Sequence, residues 1–260
     1  MPTGSSIEII QFSCLSDNFG LLIHDADQNL TIAVDVPEAA PYLRHLKERD
    51  WTLNEILITH HHWDHVQGLD ELKAATGAHV TGPALSRDKI EGLDAFVEDG
   101  DTITLGDWEV EAIGTPGHTL DQISWYIPTL KLAHTGDTLF SLGCGRVFEG
   151  DLPMMWASLA RLKERLPADT RIYCGHEYTQ TNARFSLTIE PENEALKIRA
   201  AEVDRLRAQG RPTLPTTMEQ ELATNPFLRA DQPGVKAALA MSGASDAEVF
   251  AEIRTRKDKA

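Results

Sequence analysis

Thr59-His60-His61-His62-Trp63-Asp64-His65 places four of the chain's ten histidines within six residues, directly after Glu55 to Ile58. That preceding run is rich in Ile and Leu and reads as a strand, which delivers the chain to one edge of a sheet. The loop that follows can turn His60 and His62, two apart, to one side and Asp64 and His65 to another. One loop could then serve two metals. Imidazole and carboxylate together suit zinc, iron or manganese, and no thiolate is offered, so a cysteine-type structural site is excluded. The interleaved aspartate and the strand in front distinguish the cluster from a tag-like run of histidines.

Three further segments have the same form, a strand, a glycine-containing turn and then one donor: Ile113-Gly-Thr-Pro-Gly-His118, Ala133-His-Thr-Gly-Asp137 and Tyr173-Cys-Gly-His176. Glycine lets the backbone turn tightly and approach a site closely. The donors are therefore His60, His62, His65, His118, His176, Asp64 and Asp137. Seven side chains are too many for one zinc and suit two if a carboxylate bridges. Asp137 is the better bridge, since Asp64 sits beside its own histidine. Two cations about 3.5–4 Å apart make hydroxide available at neutral pH and polarise a carbonyl oxygen, which describes hydrolysis. His61 alternates away from the ligand side, and His24, His45, His79 and His134 read as structural or surface residues. Asp35 could accept a hydrogen bond from a ligand imidazole or cap the segment from Val36 onward, and it is left out of the expected site.

The chain has 260 residues and a formal charge of −16, which excludes a basic nucleic-acid binder. With 42% hydrophobic and 25% charged residues it has the composition of a packed globular enzyme. Cys14, Cys144 and Cys174 are odd in number and widely spaced, so no disulfide framework is expected. Cys144 and Cys174 read as buried thiols, not nucleophiles. Met1 to Ser6 carries no basic segment leading into an apolar one, and no run is long enough to span a membrane, so a cytoplasmic protein is expected.

Strands are expected at Ile7 to Cys14, Leu21 to His24, Leu30 to Asp35, Glu55 to Thr59, Trp108 to Ile113, Gln122 to Ile127, Lys131 to His134 and Arg171 to Cys174. Helices are expected at Glu38 to Arg49, Leu69 to Thr76 and Met154 to Leu166. After about Thr181 only helices are expected: Pro191 to Gln209, Thr217 to Ala223, Gly234 to Met241 and Ser245 to Arg256. A boundary near 180 follows, with 1–180 as the catalytic part and 181–260 as a helical part. Residues 1–180 hold 12 basic and 28 acidic residues, and 181–260 hold 12 of each. The locally basic end from Arg254 to Lys259 reads, on its own, as a frayed and solvated tail.

Thr59-His-His-His-Trp-Asp-His65 resembles the Thr-His-x-His-x-Asp-His signature of the metallo-β-lactamase superfamily. Gly-Thr-Pro-Gly-His118-Thr, His-Thr-Gly-Asp137-Thr-Leu-Phe, Gly143-Cys-Gly-Arg146-Val-Phe148-Glu-Gly150 and Cys-Gly-His176-Glu-Tyr-Thr continue it in order. Their form is similar to the glyoxalase II, or hydroxyacylglutathione hydrolase, family. The likeness extends through a helical end with Asn225-Pro-Phe-Leu-Arg229.

The resemblance implies an α+β fold, a four-layer αββα sandwich followed by a smaller all-helical C-terminal domain that binds glutathione. It implies two divalent metal ions, zinc first and iron or manganese as substitutes. His60, His62 and His118 would hold one, Asp64, His65 and His176 the other, and Asp137 would bridge. A hydroxide bridging the two metals, held by Asp137 with Asp64, would attack the thioester of S-D-lactoylglutathione and release glutathione and D-lactate, the second step of methylglyoxal detoxification. Arg146, Phe148, Tyr178, Asn182, Arg254 and Lys257 would contact the glutathione moiety, with the cations among them offsetting the chain's negative charge at the mouth. Many relatives have Lys in place of Arg146 and Tyr in place of Phe148; Arg keeps the charge in another geometry, and Phe lacks the hydroxyl. The expected partner is a small-molecule glutathione thioester, with no nucleic acid and no membrane, and the expected state is a monomer. The rival readings are a glutathione persulfide dioxygenase using one iron on the same scaffold, a β-lactamase, lactonase or nuclease, and a non-catalytic metal-binding protein.

Overall fold

The computed structural model describes residues 6–260, so the reading of the first five residues as leaderless lies outside the described part. The chain divides into two compact units, one of residues up to Gly114 together with Asp121–Leu130, the other of Thr115–Leu120 together with residues from Lys131 on.

The first unit is built on a sheet whose strands lie in chain order: β1 (Ile7–Cys14), β2 (Asn18–Asp25), β3 (Leu30–Val34), β4 (Glu55–Leu57), β5 (His79–Pro83) and β6 (Ala95–Val97). β1, β2 and β3 run antiparallel, and β3 through β6 run parallel. Helix α1 (Ala39–Arg49) makes the crossover from β3 to β4, and the short α2 (Trp63–Val66) with α3 (Leu69–Thr76) makes the one from β4 to β5. α1 stops at Asp50 and α3 at Gly77, both with left-handed backbone.

β2, β3 and β4 are buried along their whole length, as strands covered on both faces are. On one face Leu22, Ala33, Ile56 and Ile58 pack with Tyr42 and Leu46 of α1 and Leu69 and Leu72 of α3. The alternating residues Leu21, Ile23, Ile32 and Leu57 are buried on the other face. The same unit carries the antiparallel strands β7 (Thr102–Leu105), β8 (Trp108–Gly114) and β9 (Ile123–Ile127). Buried Trp125 of β9 donates its indole N–H to the carbonyl of Ile58, 3.1 Å away, which ties β9 to the exit of β4.

In the second unit β10 (Leu132–His134) pairs in parallel with β13 (Arg171–Tyr173), and β14 (Thr216–Thr217) adds antiparallel to β13. The two-stranded hairpin of β11 (Leu139–Phe140) and β12 (Gly143–Cys144) lies between β10 and α4 in sequence. The helices are α4 (Leu152–Arg165), α5 (Thr179–Ile189), α6 (Glu194–Ala208), α7 (Met218–Thr224), α8 (Pro233–Ala238) and α9 (Asp246–Asp258). Their starts follow from side chains: Asp151 accepts from Met154 N–H ahead of α4, Asn193 from Leu196 N–H ahead of α6, and Ser245 with Glu248 forms a capping box ahead of α9.

Three expectations are corrected. β14 is a strand within the region expected to be helical throughout, and α5 is a helix where the sequence pattern showed none. The basic end is not a solvated tail, because α9 continues to Asp258 and Arg254 is only 5% exposed.

Because Ile58 is fully buried and leads directly into Thr59 and His60, Ile58→Ala should lower stability by roughly 2–5 kcal/mol, the range for a truncated core aliphatic. Urea unfolding checks this, with a lower midpoint at an unchanged m-value expected.

Candidate metal centre

β4 ends inside the sheet, so Thr59 and the residues after it emerge at the carboxyl edge of parallel strands. There they meet Asp35, one residue past β3, in left-handed backbone at φ 53°. Its N–H donates to Leu57, and its carbonyl accepts from the Tyr42 hydroxyl at 2.8 Å. The buried Asp35 carboxylate accepts from Thr59 N–H (2.8 Å) and Thr59 Oγ1 (2.9 Å) and lies 2.7 Å from His65 Nδ1. A carboxylate only accepts, so His65 Nδ1 carries the proton and Nε2 carries the lone pair. Thr59 Oγ1, its own proton given to Asp35, accepts from His60 Nδ1 at 3.0 Å, which assigns the same tautomer to His60. One carboxylate thus orients two imidazoles with Nε2 as the donor to a metal, the arrangement that raises ligand basicity.

The other donors of this loop are held separately. Asn18, buried on β2, donates its amide to the Asp64 carboxylate (3.0 Å) and to the Asp64 carbonyl (3.1 Å). The ligand atoms of His60 and His62, of His60 and His65, and of Asp64 and His65 each lie within 4.8 Å of one another. His61 turns aside, its Nδ1 2.9 Å from both oxygens of buried Asp121, which Ser86 also contacts.

In the second unit the donors come from three turns. His118 Nδ1 donates to the Arg146 carbonyl at 2.7 Å, leaving the lone pair on Nε2. That Nε2 lies 3.4 Å from Asp137 Oδ2, and His176 Nε2 lies 3.2 Å from the same oxygen. For His118 this sets a nitrogen lone pair against an anionic oxygen, a repulsive pair that a cation shared by both groups turns into a favourable one. The donor set therefore fits divalent metal. The backbone packs closely here: a side chain at Gly145 would overlap the carbonyl of Asp137, and Gly117 at φ 145° lies against Met155.

The residues expected at substrate are all in this unit. Tyr178 stacks on His176 with ring centroids 4.7 Å apart and planes 3° from parallel, and Phe140 meets both rings edge-on. Phe148 is 61% exposed and packs its ring edge-to-face with that of His118 at 5.2 Å. The exposed Arg146 has Asp258 3.4 Å from its Nε. Half-buried Lys257 reaches the Thr181 carbonyl at 3.4 Å and lies over the Phe185 ring. Arg254 and Asn182 are instead buried and occupied with backbone: Arg254 donates to the Cys144 carbonyl (3.0 Å) and to Asp258 (2.9 Å), and Asn182 to the Ser141 carbonyl (3.2 Å). Cys144 and Cys174 are buried thiols, as expected; burial pushes Cys144 up to about 11 and Cys174 higher still, the reverse of an activated nucleophile.

A family profile described as the metallo-beta-lactamase superfamily matches residues 30–176, and one described as the hydroxyacylglutathione hydrolase C-terminus matches residues 177–260. The chain is 54% identical over 252 residues to a hydroxyacylglutathione hydrolase of Brucella anthropi, covering 97% of this chain and 96% of that one. The chain belongs to the hydroxyacylglutathione hydrolase family of the metallo-β-lactamase superfamily. A Bradyrhizobium member is 52% identical over 97% of this chain and 98% of its own. The crystal structure of ETHE1 from Myxococcus xanthus aligns with TM-score 0.68 at 26% identity, over 95% of this chain and 90% of that one. The fold is accordingly the metallo-β-lactamase fold with a C-terminal helical region, as the sequence led us to expect.

Outside the family motif, Asn18 was missed as a support of the site, and Asp35 was weighed but left out of it. Asp35 alone carried a signal, a carboxylate ending a strand beside the one that delivers the histidines. Asp35→Asn places an amide N–H₂ against N–H and O–H donors and should weaken metal binding about 10–100-fold. Asp121→Asn, at a carboxylate that meets His61 and Ser86, should leave metal affinity unchanged. Chelator competition on both variants is the measurement.

Proposed function

We propose that this chain hydrolyses S-2-hydroxyacylglutathione thioesters such as S-D-lactoylglutathione to glutathione and a 2-hydroxy acid, as a cytoplasmic monomer acting on a small molecule, not on nucleic acid or membrane. His60, His62 and His118 would hold one divalent cation, Asp64, His65 and His176 a second, and Asp137 would bridge them, with zinc the leading choice and iron or manganese able to substitute. The observation that carries the reading is Asp137 Oδ2, which meets two imidazole nitrogens at 3.2 and 3.4 Å while His118 already spends its other nitrogen on a carbonyl. The names of the relatives at 52–54% identity agree with it.

Bound metal would supply an activated water and polarise the thioester carbonyl. The chain supplies the rest. Asp35 and the Arg146 carbonyl keep imidazole protons on Nδ1, which leaves Nε2 as the nitrogen offered to a cation. Asn18 steadies Asp64. No side-chain nucleophile is needed, which agrees with the raised thiols. In this reading residues 1–180 carry the catalytic groups and 181–260 complete the glutathione site. Tyr178 and Phe148 offer exposed aromatic surface against two ligand imidazoles, while Arg146 and Lys257 offer cations to the glutathione carboxylates, a local attraction in a chain of charge −16. Phe148 packs against substrate without hydrogen-bonding it. Arg254 acts more as a support, since its guanidinium is buried on Cys144 and Asp258.

Purified, metal-replete protein should consume S-D-lactoylglutathione, followed by loss of thioester absorbance, and chelator should abolish the activity. Absence of turnover in a fully metallated sample would overturn the proposal, and oxygen uptake with glutathione persulfide would replace it with the dioxygenase reading.

Burial, and after it the Arg254 guanidinium, hold the Lys257 ammonium below the ordinary lysine range. Its positive charge is present below that lowered value and lost as pH rises through it. KM should therefore climb on the alkaline side earlier than an ordinary lysine would allow. Lys257→Arg, which stays charged, should remove that climb and leave kcat unchanged. Rates measured across pH for both proteins check this, and the substrate's own ammonium contributes equally to each.

A further inference from the structure

The β11–β12 turn is held almost entirely by side chains from the helical part of the second unit. Glu221 of α7, fully buried, accepts from Leu142 N–H (2.8 Å) and from the Ser141 hydroxyl (3.0 Å), and also from the Thr216 hydroxyl (2.8 Å) and the Asn225 amide (3.0 Å). The Asn225 amide also donates to the carbonyls of Phe140 (3.2 Å) and Gly143 (3.0 Å). Asn182 and Ser186 of α5 donate to the carbonyls of Ser141 and Leu142, and Arg254 of α9 to that of Cys144. Leu142 sits at φ 59°, a backbone conformation that leucine rarely adopts, so the turn keeps its shape through these bonds and not through local preference.

What the turn controls lies immediately after it. Gly145 N–H donates to the Thr138 carbonyl at 3.1 Å, one residue from Asp137, and the Gly145 Cα packs so tightly on the Asp137 carbonyl that no side chain fits. The next carbonyl, of Arg146, accepts the His118 Nδ1 proton. A shift of the hairpin therefore moves the acceptor that fixes the His118 tautomer and the backbone beside Asp137.

We infer that Glu221 and Asn225 are positioning residues for the metal centre: through the β11–β12 hairpin they set the Arg146 carbonyl that orients His118 and the backbone that supports Asp137. The inference rests on the reading of His118 and Asp137 as metal ligands, and it gives the helical part of the chain a second task besides meeting glutathione.

The test is zinc binding to the full chain by competition with a chromophoric chelator, with thermal unfolding of the same apo samples. Glu221→Gln loses the anionic acceptor and turns its amide N–H₂ onto the Ser141 and Thr216 hydroxyls, which must then accept instead of donate, and it should weaken the more weakly held zinc at least tenfold. Val249→Ala, a core truncation in α9 at a fully buried residue, should lower the unfolding temperature but leave zinc affinity unchanged. If Glu221→Gln does not fold, Ser141→Ala removes one of the four bonds and should shift zinc affinity in the same direction by less. Zinc affinity in the hairpin variants equal to the parent's, or an equal loss in Val249→Ala, would overturn the inference while leaving the ligand reading intact. A parent chain that binds no zinc would overturn both.

Discussion

The structure around the donor loop depends on the Asp35 carboxylate. It is buried, sits on left-handed backbone at the end of β3, and collects the Thr59 amide, the Thr59 hydroxyl and the His65 ring proton. A buried anion is costly unless its hydrogen bonds are made, and here each bond made also does structural work. The amide bond aligns the exit of β4 with that of β3; the hydroxyl relays the constraint to His60; the imidazole bond fixes His65. The parallel pairing of β3 with β4 is what brings a residue at 35 to residues at 59 and 65, so the sheet and the chemistry are one arrangement.

The second unit solves the same problem with backbone. His118 is oriented by a carbonyl, not by a carboxylate, and that carbonyl is only as well placed as the loop that bears it. Glycine at 145 permits the close approach, and a buried acid, an amide and a guanidinium from three separate places in the helical region hold the neighbouring hairpin. The groups proposed to meet substrate belong to the same helical region: Tyr178 just precedes α5 and Lys257 lies on α9. The acidic surplus falls within the first 180 residues, and the last 80 are balanced.

The residues of the candidate centre stood out because metal chemistry restricts residue type and spacing within a few positions of sequence. Elements with strong periodicity, such as β1, α1 and α3, were legible for the same local reason. Asp35 was left out because it could equally cap the segment from Val36 onward; its partners lie 24 and 30 residues away, and only strand pairing brings them near. Glu221 lies in a short helix where nothing local marks it; its burial follows from Ser141 and Leu142, 80 and 79 residues earlier. β5 escaped notice because Gly82-Pro83 reads as a turn, β6 is three residues long, and α5 is rich in Thr, Gln and Asn. Arg254 looked like a surface cation, since nothing local in Arg-Thr-Arg-Lys shows which side of α9 meets the hairpin.

Seven side chains from four loops are proposed to hold two cations with Asp137 between them. Anomalous diffraction at the zinc edge from crystals of the zinc-loaded chain tests this most directly. Two peaks are expected, one bounded by His60, His62 and His118, the other by Asp64, His65 and His176, with Asp137 touching both. A single peak, or a peak that takes His61 or leaves out Asp137, would contradict it.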